Sequence, residues 1–370
     1  MAVDPNHPAL GQLPTPALVI DVAALDRNIA RMAAHAEDAG MALRPHIKTH
    51  KSVEIARRQI ASGAKGLACA TVAELLHLVE AGLDDILLTS PIADPMKADL
   101  IAQANMRAKI AVVIDHPLQA ALLSEAVGRH GGALDVLVDI DVGQNRSGVA
   151  DIESCIAVAR AIDEAADLRL AGIQGFAGQA QHVVAEAERR QAAADVAAYL
   201  TRCRDALATE GFSIDWVSGS GTGTSRYDMD GGPFTELQVG SYVFMDADYG
   251  RLEGGPEAGL DFERSLFVLA TVVSVSRAGQ VTIDAGVKAF AVNGPLPQVV
   301  IGVDGPIKYA FAGDEHGILK LGENTIRPSL GDRVLVEATH CDPTVNLYAG
   351  FNAIDMDGRV ERWEIGGRYA

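Results

Sequence analysis

The feature that most constrains this chain is a rhythm. Short runs rich in Val, Ile and Leu alternate with longer, Ala-rich amphipathic stretches over roughly its first 220 residues. The apolar runs are 17–21 (ALVID), 42–47 (ALRPHI), 65–71 (KGLACAT), 84–90 (DDILLTS), 109–115 (KIAVVID), 135–141 (DVLVDID), 168–177 (LRLAGIQGFA) and 213–220 (SIDWVSGS). Both faces of these runs are apolar, which is the pattern of parallel strands covered on both sides. Between them lie helical stretches such as 22–40 and 183–207. Eight strand–helix units predict a (β/α)8 barrel, with a doubly wound sheet as the alternative.

Beyond about residue 243 the texture changes. Segments 267–290 and 332–340 are β-rich with glycine turns between them, and 357–365 alternates apolar and polar residues behind an Asp357-Gly358 turn signal. The expected architecture is therefore α/β plus all-β. A barrel covers 15–243, and a β-domain covers 244–370 together with the N-terminal segment 1–14. With 370 residues, 48% of them hydrophobic, there is material for two cores. A net charge of -18 excludes a surface that neutralises phosphates, so neither nucleic acid nor an anionic membrane is an expected partner. Cys69, Cys155, Cys203 and Cys341 are scattered without a CxxC pair, no run is long enough to span a bilayer, and the first residues lack a basic-then-apolar leader. The expectation is a cytoplasmic protein acting on a small molecule.

Barrel enzymes carry their chemistry at the C-terminal ends of the strands. The second apolar run ends in Arg44-Pro-His46-Ile-Lys48-Thr-His50-Lys51. A lysine among other cations at such a position is a candidate amine nucleophile, against the plainer reading of a solvated loop lysine. The run 213–220 leads into Ser218-Gly-Ser220-Gly221-Thr222-Gly223-Thr224, whose small residues let backbone amides approach a phosphate. Near the end of the chain, Glu337-Ala-Thr-His340-Cys341-Asp342-Pro343-Thr344 follows an expected strand. In an extended segment His340 and Asp342 share one side and Cys341 faces the other, so imidazole and carboxylate can meet one Mn2+, Zn2+ or Mg2+ ion.

Taken in order, Thr15-Pro-Ala-Leu-Val-Ile-Asp21, RPHIKTHK (44–51), the 218–224 loop, TELQVGSYVFMDADY (235–249) and HCDPT (340–344) resemble the fold-type III pyridoxal-phosphate proteins. Among these they are similar to the D-threonine aldolase and 3-hydroxy-D-aspartate aldolase group, which is related to metal-dependent D-serine dehydratases. The resemblance covers nearly the whole chain. It implies an alanine-racemase-like barrel followed by a β-domain, with Lys48 joined to pyridoxal 5′-phosphate as a Schiff base. Arg146 is then near the cofactor's phenolic oxygen. Ser220, Gly221, Thr222, Gly223, Gly240, Ser241 and Tyr242 belong to the phosphate-binding stretch, and His340 and Asp342 form the metal pair. Related dehydratases tend to carry a cysteine as second ligand, so Asp342 favours aldolase. Gln238 stands where alanine racemases have an arginine on the pyridine nitrogen; a neutral partner changes how well the ring accepts electrons, unless Gln238 only packs. Gln174 and 179–182 are further candidates for the site lining.

The resemblance implies retro-aldol cleavage of a D-β-hydroxy amino acid to glycine and an aldehyde, with the metal acidifying the β-hydroxyl. His46, His50 or a hydroxide on the metal is the candidate base. The same parts allow a dehydratase that releases a keto acid and ammonia, with Lys48 drawing off the Cα proton. A non-enzymatic role in cofactor homeostasis is the third reading; the β-domain and HCDPT weigh against it, because proteins of that kind are single barrels. A homodimer is expected, each barrel mouth closed by the partner's β-domain, around 284–288 or 314–316.

Overall fold

A buried parallel strand needs apolar residues on both faces and a helix on its outside, and the first two-thirds of the chain supplies both repeatedly. The protein is described by a computed structural model covering residues 3–369. Among these residues lie seventeen strands. They are β1 (Ala17–Asp21), β2 (Ala42–Leu43), β3 (Leu67–Cys69), β4 (Ile86–Leu88), β5 (Ile110–Ile114), β6 (Leu134–Asp139), β7 (Leu168–Gly175), β8 (Val217–Gly219), β9 (Glu236–Leu237), β10 (Leu266–Ser274), β11 (Gln280–Ile283), β12 (Val300–Ile301), β13 (Ile307–Phe311), β14 (Gly317–Leu321), β15 (Arg333–Glu337), β16 (Gly350–Ile354) and β17 (Val360–Glu364).

Strands β2 to β9 form one parallel sheet in the order β2-β9-β8-β7-β6-β5-β4-β3. Its two end strands meet. His46 bridges to Ala68, and the Ala68 amide donates to the Pro45 carbonyl at 2.9 Å, so the sheet closes as an alanine-racemase-like barrel. Helices such as Val72–Glu80, Pro117–His130 and Ile152–Asp163 separate successive strands. Every residue of β5 is buried, which explains why its sequence shows no polar alternation. The barrel core is built from such strand residues and from the inner faces of the helices, for example Leu75, Leu78, Leu123 and Val158.

One strand of the expected barrel lies elsewhere. Ala17–Asp21 runs antiparallel to β10 and parallel to β16, inside the second sheet. All five of its residues are buried, so its sequence cannot be told from a barrel strand. The missing barrel strand is β9, only two residues long and hidden within 235–240. The strand count shifts accordingly. Lys48 follows the first barrel strand, and the 218–224 loop follows the seventh.

The second sheet has nine strands in the order β13-β14-β11-β10-β1-β16-β17, with β15 on β10 and β12 on β15. The chain divides into two compact units. One gathers the described part of Met1–Arg31 with Ser241–Arg251 and Phe262–Ile365. The other gathers Met32–Gly240 with Leu252–Asp261 and the described part of Gly366–Ala370. Residues 15–31 thus lie in the strand-rich unit, and 252–261 and the described part of the tail lie in the barrel unit. Among the described residues no helix is long and apolar enough to cross a membrane.

Candidate active site

In the barrel unit the loop after β2 is held rigidly by its own polar side chains. His46 precedes the short turn Ile47–Thr49; its Nδ1 accepts from the Lys48 amide at 3.3 Å, and its Nε2 lies 3.0 Å from Thr89 Oγ1. A backbone N–H can only donate, so Nε2 carries the ring proton, and Thr89 Oγ1 passes its own to the Cys69 carbonyl at 3.0 Å. Burial, reinforced by the positive charges of Lys48, His50, Arg146 and Lys51, holds the His46 pKa well below the usual histidine range. His50 is built alike: Nδ1 accepts from the Ser52 amide at 3.1 Å and Nε2 faces Gln59 Oε1 at 3.2 Å. Both ring nitrogens of His46 and of His50 thus have hydrogen-bond partners in and around this loop.

Lys51 takes a left-handed φ of 51° and is anchored on Glu74 and on the Gly367 carbonyl. Between residues 43 and 52, Lys48 alone is not buried. Its Nζ lies 5.2 Å from the centroid of the Phe176 ring, and the Arg146 guanidinium lies 5.8 Å from the same ring. Two of the expected residues thus lie beside the same aromatic ring. Phe176 itself went unnoticed because one aromatic residue after a strand carries no signal.

Below them is a layer of buried amides and acids from the C-terminal ends of β4 and β6 to β9. Gln238 Nε2 donates to Gln174 Oε1 at 3.0 Å and to Ser218 Oγ at 2.9 Å. Gln174 Nε2 donates to the Thr89 carbonyl at 3.3 Å and to Asp139 Oδ1 at 2.8 Å. Ser218 Oγ donates to Glu236 Oε1 at 2.6 Å, where Arg44 Nε also binds at 2.9 Å. The Thr89 carbonyl and the Glu236 carboxylate only accept, so every amide in the relay has one orientation. Gln238 belongs to this layer and is not a mere packing residue. Burial pushes the Asp139 carboxyl up to about 6, against the hydrogen bonds of Gln174 and Ser147.

The loop from Ser218 to Thr224 is buried throughout, and Ser220 holds a left-handed φ of 71°. The amides of Gly223 and Thr224 donate to Gln181 Oε1 at 2.9 and 3.3 Å, so these two expected phosphate donors are already engaged within the protein. Gly240 sits against the Lys48 loop, where an added Cβ would lie 2.7 Å from Thr49 Oγ1.

In the strand-rich unit, the segment 340–342 is not extended. His340 caps the helix Cys341–Asn346, and Asp342 lies in its first turn, where a carboxylate suits the helix N-terminus. Cys341 is fully buried and its Sγ donates toward Asp342 Oδ1 at 3.4 Å, so it does not face away as the extended reading required. His340 Nδ1 is 3.1 Å from Asn293 Nδ2. Asp246, unnoticed in the sequence within a stretch of mixed acids, fixes this turn: Oδ2 accepts from the Cys341 amide at 2.7 Å, and Oδ1 accepts from the amides of Asp248 and Tyr249. Ser241 is buried in the same strand-rich unit. Tyr242 is buried with its ring 5.6 Å from that of Phe262. Among the described residues no three or more His, Cys, Asp and Glu side chains gather into a group able to hold a metal.

A closed parallel barrel with a partly exposed lysine at its mouth, joined to a strand-rich unit, defines the alanine racemase class. The family model described as alanine racemase, N-terminal domain, matches residues 20–248, and a putative serine dehydratase domain matches 265–354. The chain is 40% identical to a D-threonine aldolase from Arthrobacter sp, over 98% of this chain and 95% of that protein. It is 35% identical to a 3-hydroxy-D-aspartate aldolase from Paracoccus denitrificans (strain Pd 1222), over 96% and 92%. The solved structure of a D-threonine aldolase from Filomicrobium marinum superposes with a TM-score of 0.91 at 36% identity, covering 97% of this chain and 96% of that one. The chain belongs to the fold-type III pyridoxal-phosphate lyases, in the group of D-threonine and 3-hydroxy-D-aspartate aldolases.

Proposed function

We propose that the chain is a pyridoxal-phosphate- and divalent-metal-dependent aldolase that cleaves a D-β-hydroxy amino acid, of the D-threonine or 3-hydroxy-D-aspartate type, to glycine and an aldehyde. The observation that carries this reading is Lys48: a partly exposed amine on an otherwise buried loop, beside the same Phe176 ring as Arg146. The residues fit the cofactor. Lys48 offers the amine its aldehyde needs, Arg146 a cation for its phenolic oxygen, and the 218–224 loop a run of small residues whose backbone a phosphate could approach. His340 and Asp342 fit a divalent ion by donor chemistry, imidazole plus carboxylate. Manganese, magnesium and zinc all suit that set, with water and substrate completing it. The sequence division at 243/244 then separates the cofactor residues from the metal pair.

When bound, the cofactor ring accepts the electron pair left by the broken carbon–carbon bond, and the metal acts as a Lewis acid on the β-hydroxyl. In the reaction the β-hydroxyl loses its proton, the Cα–Cβ bond breaks, and Cα gains a proton to give glycine. Lys48 supplies and retakes the amine link to the cofactor. Phe176 excludes water from one side of that amine. Gln238, fixed by Gln174 and Ser218, would offer the cofactor ring an uncharged neighbour where alanine racemases have an arginine. His46 and His50 hold the Lys48 turn. The working form is proposed to be a cytoplasmic homodimer with shared sites; Lys288 and Glu315 are exposed and paired with each other, and Asp284 is bound by Thr15 and Thr271 of its own chain.

Product analysis over D- and L-β-hydroxy amino acids, with and without a chelator, tests the reading. Glycine plus aldehyde from D-substrates, lost with chelator, is expected. The match of residues 265–354 to a serine dehydratase domain favours one second reading, a dehydratase, and keto acid plus ammonia would establish it instead.

A further inference from the structure

The glycines of the 218–224 loop invite explanation as room for a phosphate. The geometry gives another reason for two of them. An added Cβ on Gly221 would lie 2.5 Å from Gln181 Cδ, and one on Gly223 would lie 2.2 Å from the Gln181 carbonyl oxygen. Both glycines are required by the close approach of Gln181, whatever binds on the other side of the loop.

Gln181 is 2% exposed and its amide is used at both ends. Oε1 accepts from the amides of Gly223 and Thr224, at 2.9 and 3.3 Å. Nε2 donates to the Ala177 carbonyl at 3.2 Å and to Thr224 Oγ1 at 2.9 Å. Thr224 Oγ1 in turn donates to Asp228 Oδ2 at 2.6 Å. Backbone amides only donate and the Ala177 carbonyl only accepts, so the side chain has a single orientation. The Ser225 amide also turns inward, to the Gly221 carbonyl at 2.9 Å. The donors of Gly223, Thr224 and Ser225 are therefore spent on shaping the turn.

We propose that Gln181 is a positioning residue for phosphate recognition: a buried template that fixes the Gly221–Thr224 turn without touching the ligand. This rests on the reading of 218–224 as the cofactor's phosphate loop. A template of this kind has a specific signature. Its loss weakens binding of pyridoxal 5′-phosphate but not of pyridoxal, which has the same ring and aldehyde and no phosphate. A merely structural residue would weaken both.

The experiment measures binding of both ligands, by absorbance titration, to the full chain stripped of cofactor. The variants are Gln181→Ala, Gln181→Met, which keeps the volume but no hydrogen bonds, and Thr224→Val, which removes one partner of Nε2. Wild type is expected to prefer the phosphorylated ligand strongly. Gln181→Met and Gln181→Ala lose about tenfold or more of that preference while pyridoxal affinity stays within about twofold, and Thr224→Val loses a smaller part. If wild type binds both ligands equally, the phosphate reading of the loop falls and the proposal with it. If wild type discriminates and Gln181→Met discriminates as well, or if affinity for both ligands falls together, the template role alone is overturned. Should Gln181→Ala fail to fold, the Met and Val variants decide.

Discussion

Asp228 lies behind the 218–224 loop, accepting from Thr224 Oγ1, and burial pushes its carboxyl from an ordinary 3.8 to about 6, against the hydrogen bond of Thr224. A carboxyl whose pKa is higher in the folded than in the unfolded chain favours folding most fully below the unfolded pKa. That contribution is lost as pH rises through about 6, because the folded state must then hold a buried charge. At about 1.4 kcal/mol per pH unit, the charged form costs roughly 3 kcal/mol above pH 6. Asp228→Asn keeps the shape and the Thr224 hydrogen bond and cannot ionise. Urea denaturation at pH 5 and pH 8, at matched cofactor loading, is the assay. About half of the carboxyl's contribution is already lost at pH 5, because the unfolded carboxyl ionises from 3.8 upward, so the variant's stability relative to wild type should rise by roughly 1–1.5 kcal/mol between pH 5 and pH 8, allowing for the stronger hydrogen bond that a charged acceptor enjoys. An equal gain at both pH values, or a loss at pH 8, would refute the reasoning. Asp139, also raised to about 6, titrates in both proteins and cancels in the difference.

Lys48→Ala should abolish the visible absorbance of bound cofactor and the cofactor adduct fixed by borohydride; an adduct mapped to another lysine would remove Lys48 from its role. His340→Ala and Asp342→Ala should each leave cofactor absorbance intact, weaken Mn2+ binding by about tenfold or more in a metal titration, and cut turnover; full activity in chelator would end the metal assignment. Mixing Lys48→Ala chains with chains altered at Lys288 and Glu315 should restore part of the activity in the confirmed heterodimer, and no rescue would exclude shared sites.

Much of the fold was legible because burial on both faces writes itself into sequence, as in β5 and in the helix Glu186–Thr209 against the expected 183–207. The same signal misled at β1, whose five buried residues pair in the strand-rich sheet. Two-residue β9 carries too little pattern to be counted, although its pairing completes the barrel. Lys48 was findable because basic residues crowd one strand end. What spacing could not show is how His46 and His50 are held: their ring partners are backbone amides, Thr89 and Gln59. The pair His340 and Asp342 was found by residue type, yet the geometric reason failed, because Pro343 lies inside the first turn of a helix that the expected strand ending concealed. Gln181 was a minor candidate for lining the site, and nothing in sequence distinguishes a glutamine that shapes a loop from one facing solvent.

The central claim is that a carbon–carbon bond breaks. One measurement tests it directly: proton NMR of D-threonine turned over by the metal- and cofactor-loaded protein, with both product sets integrated in one spectrum. The account predicts glycine and acetaldehyde appearing in equal amounts as D-threonine disappears, with L-threonine untouched. Appearance of 2-oxobutyrate and ammonium in place of glycine would contradict it.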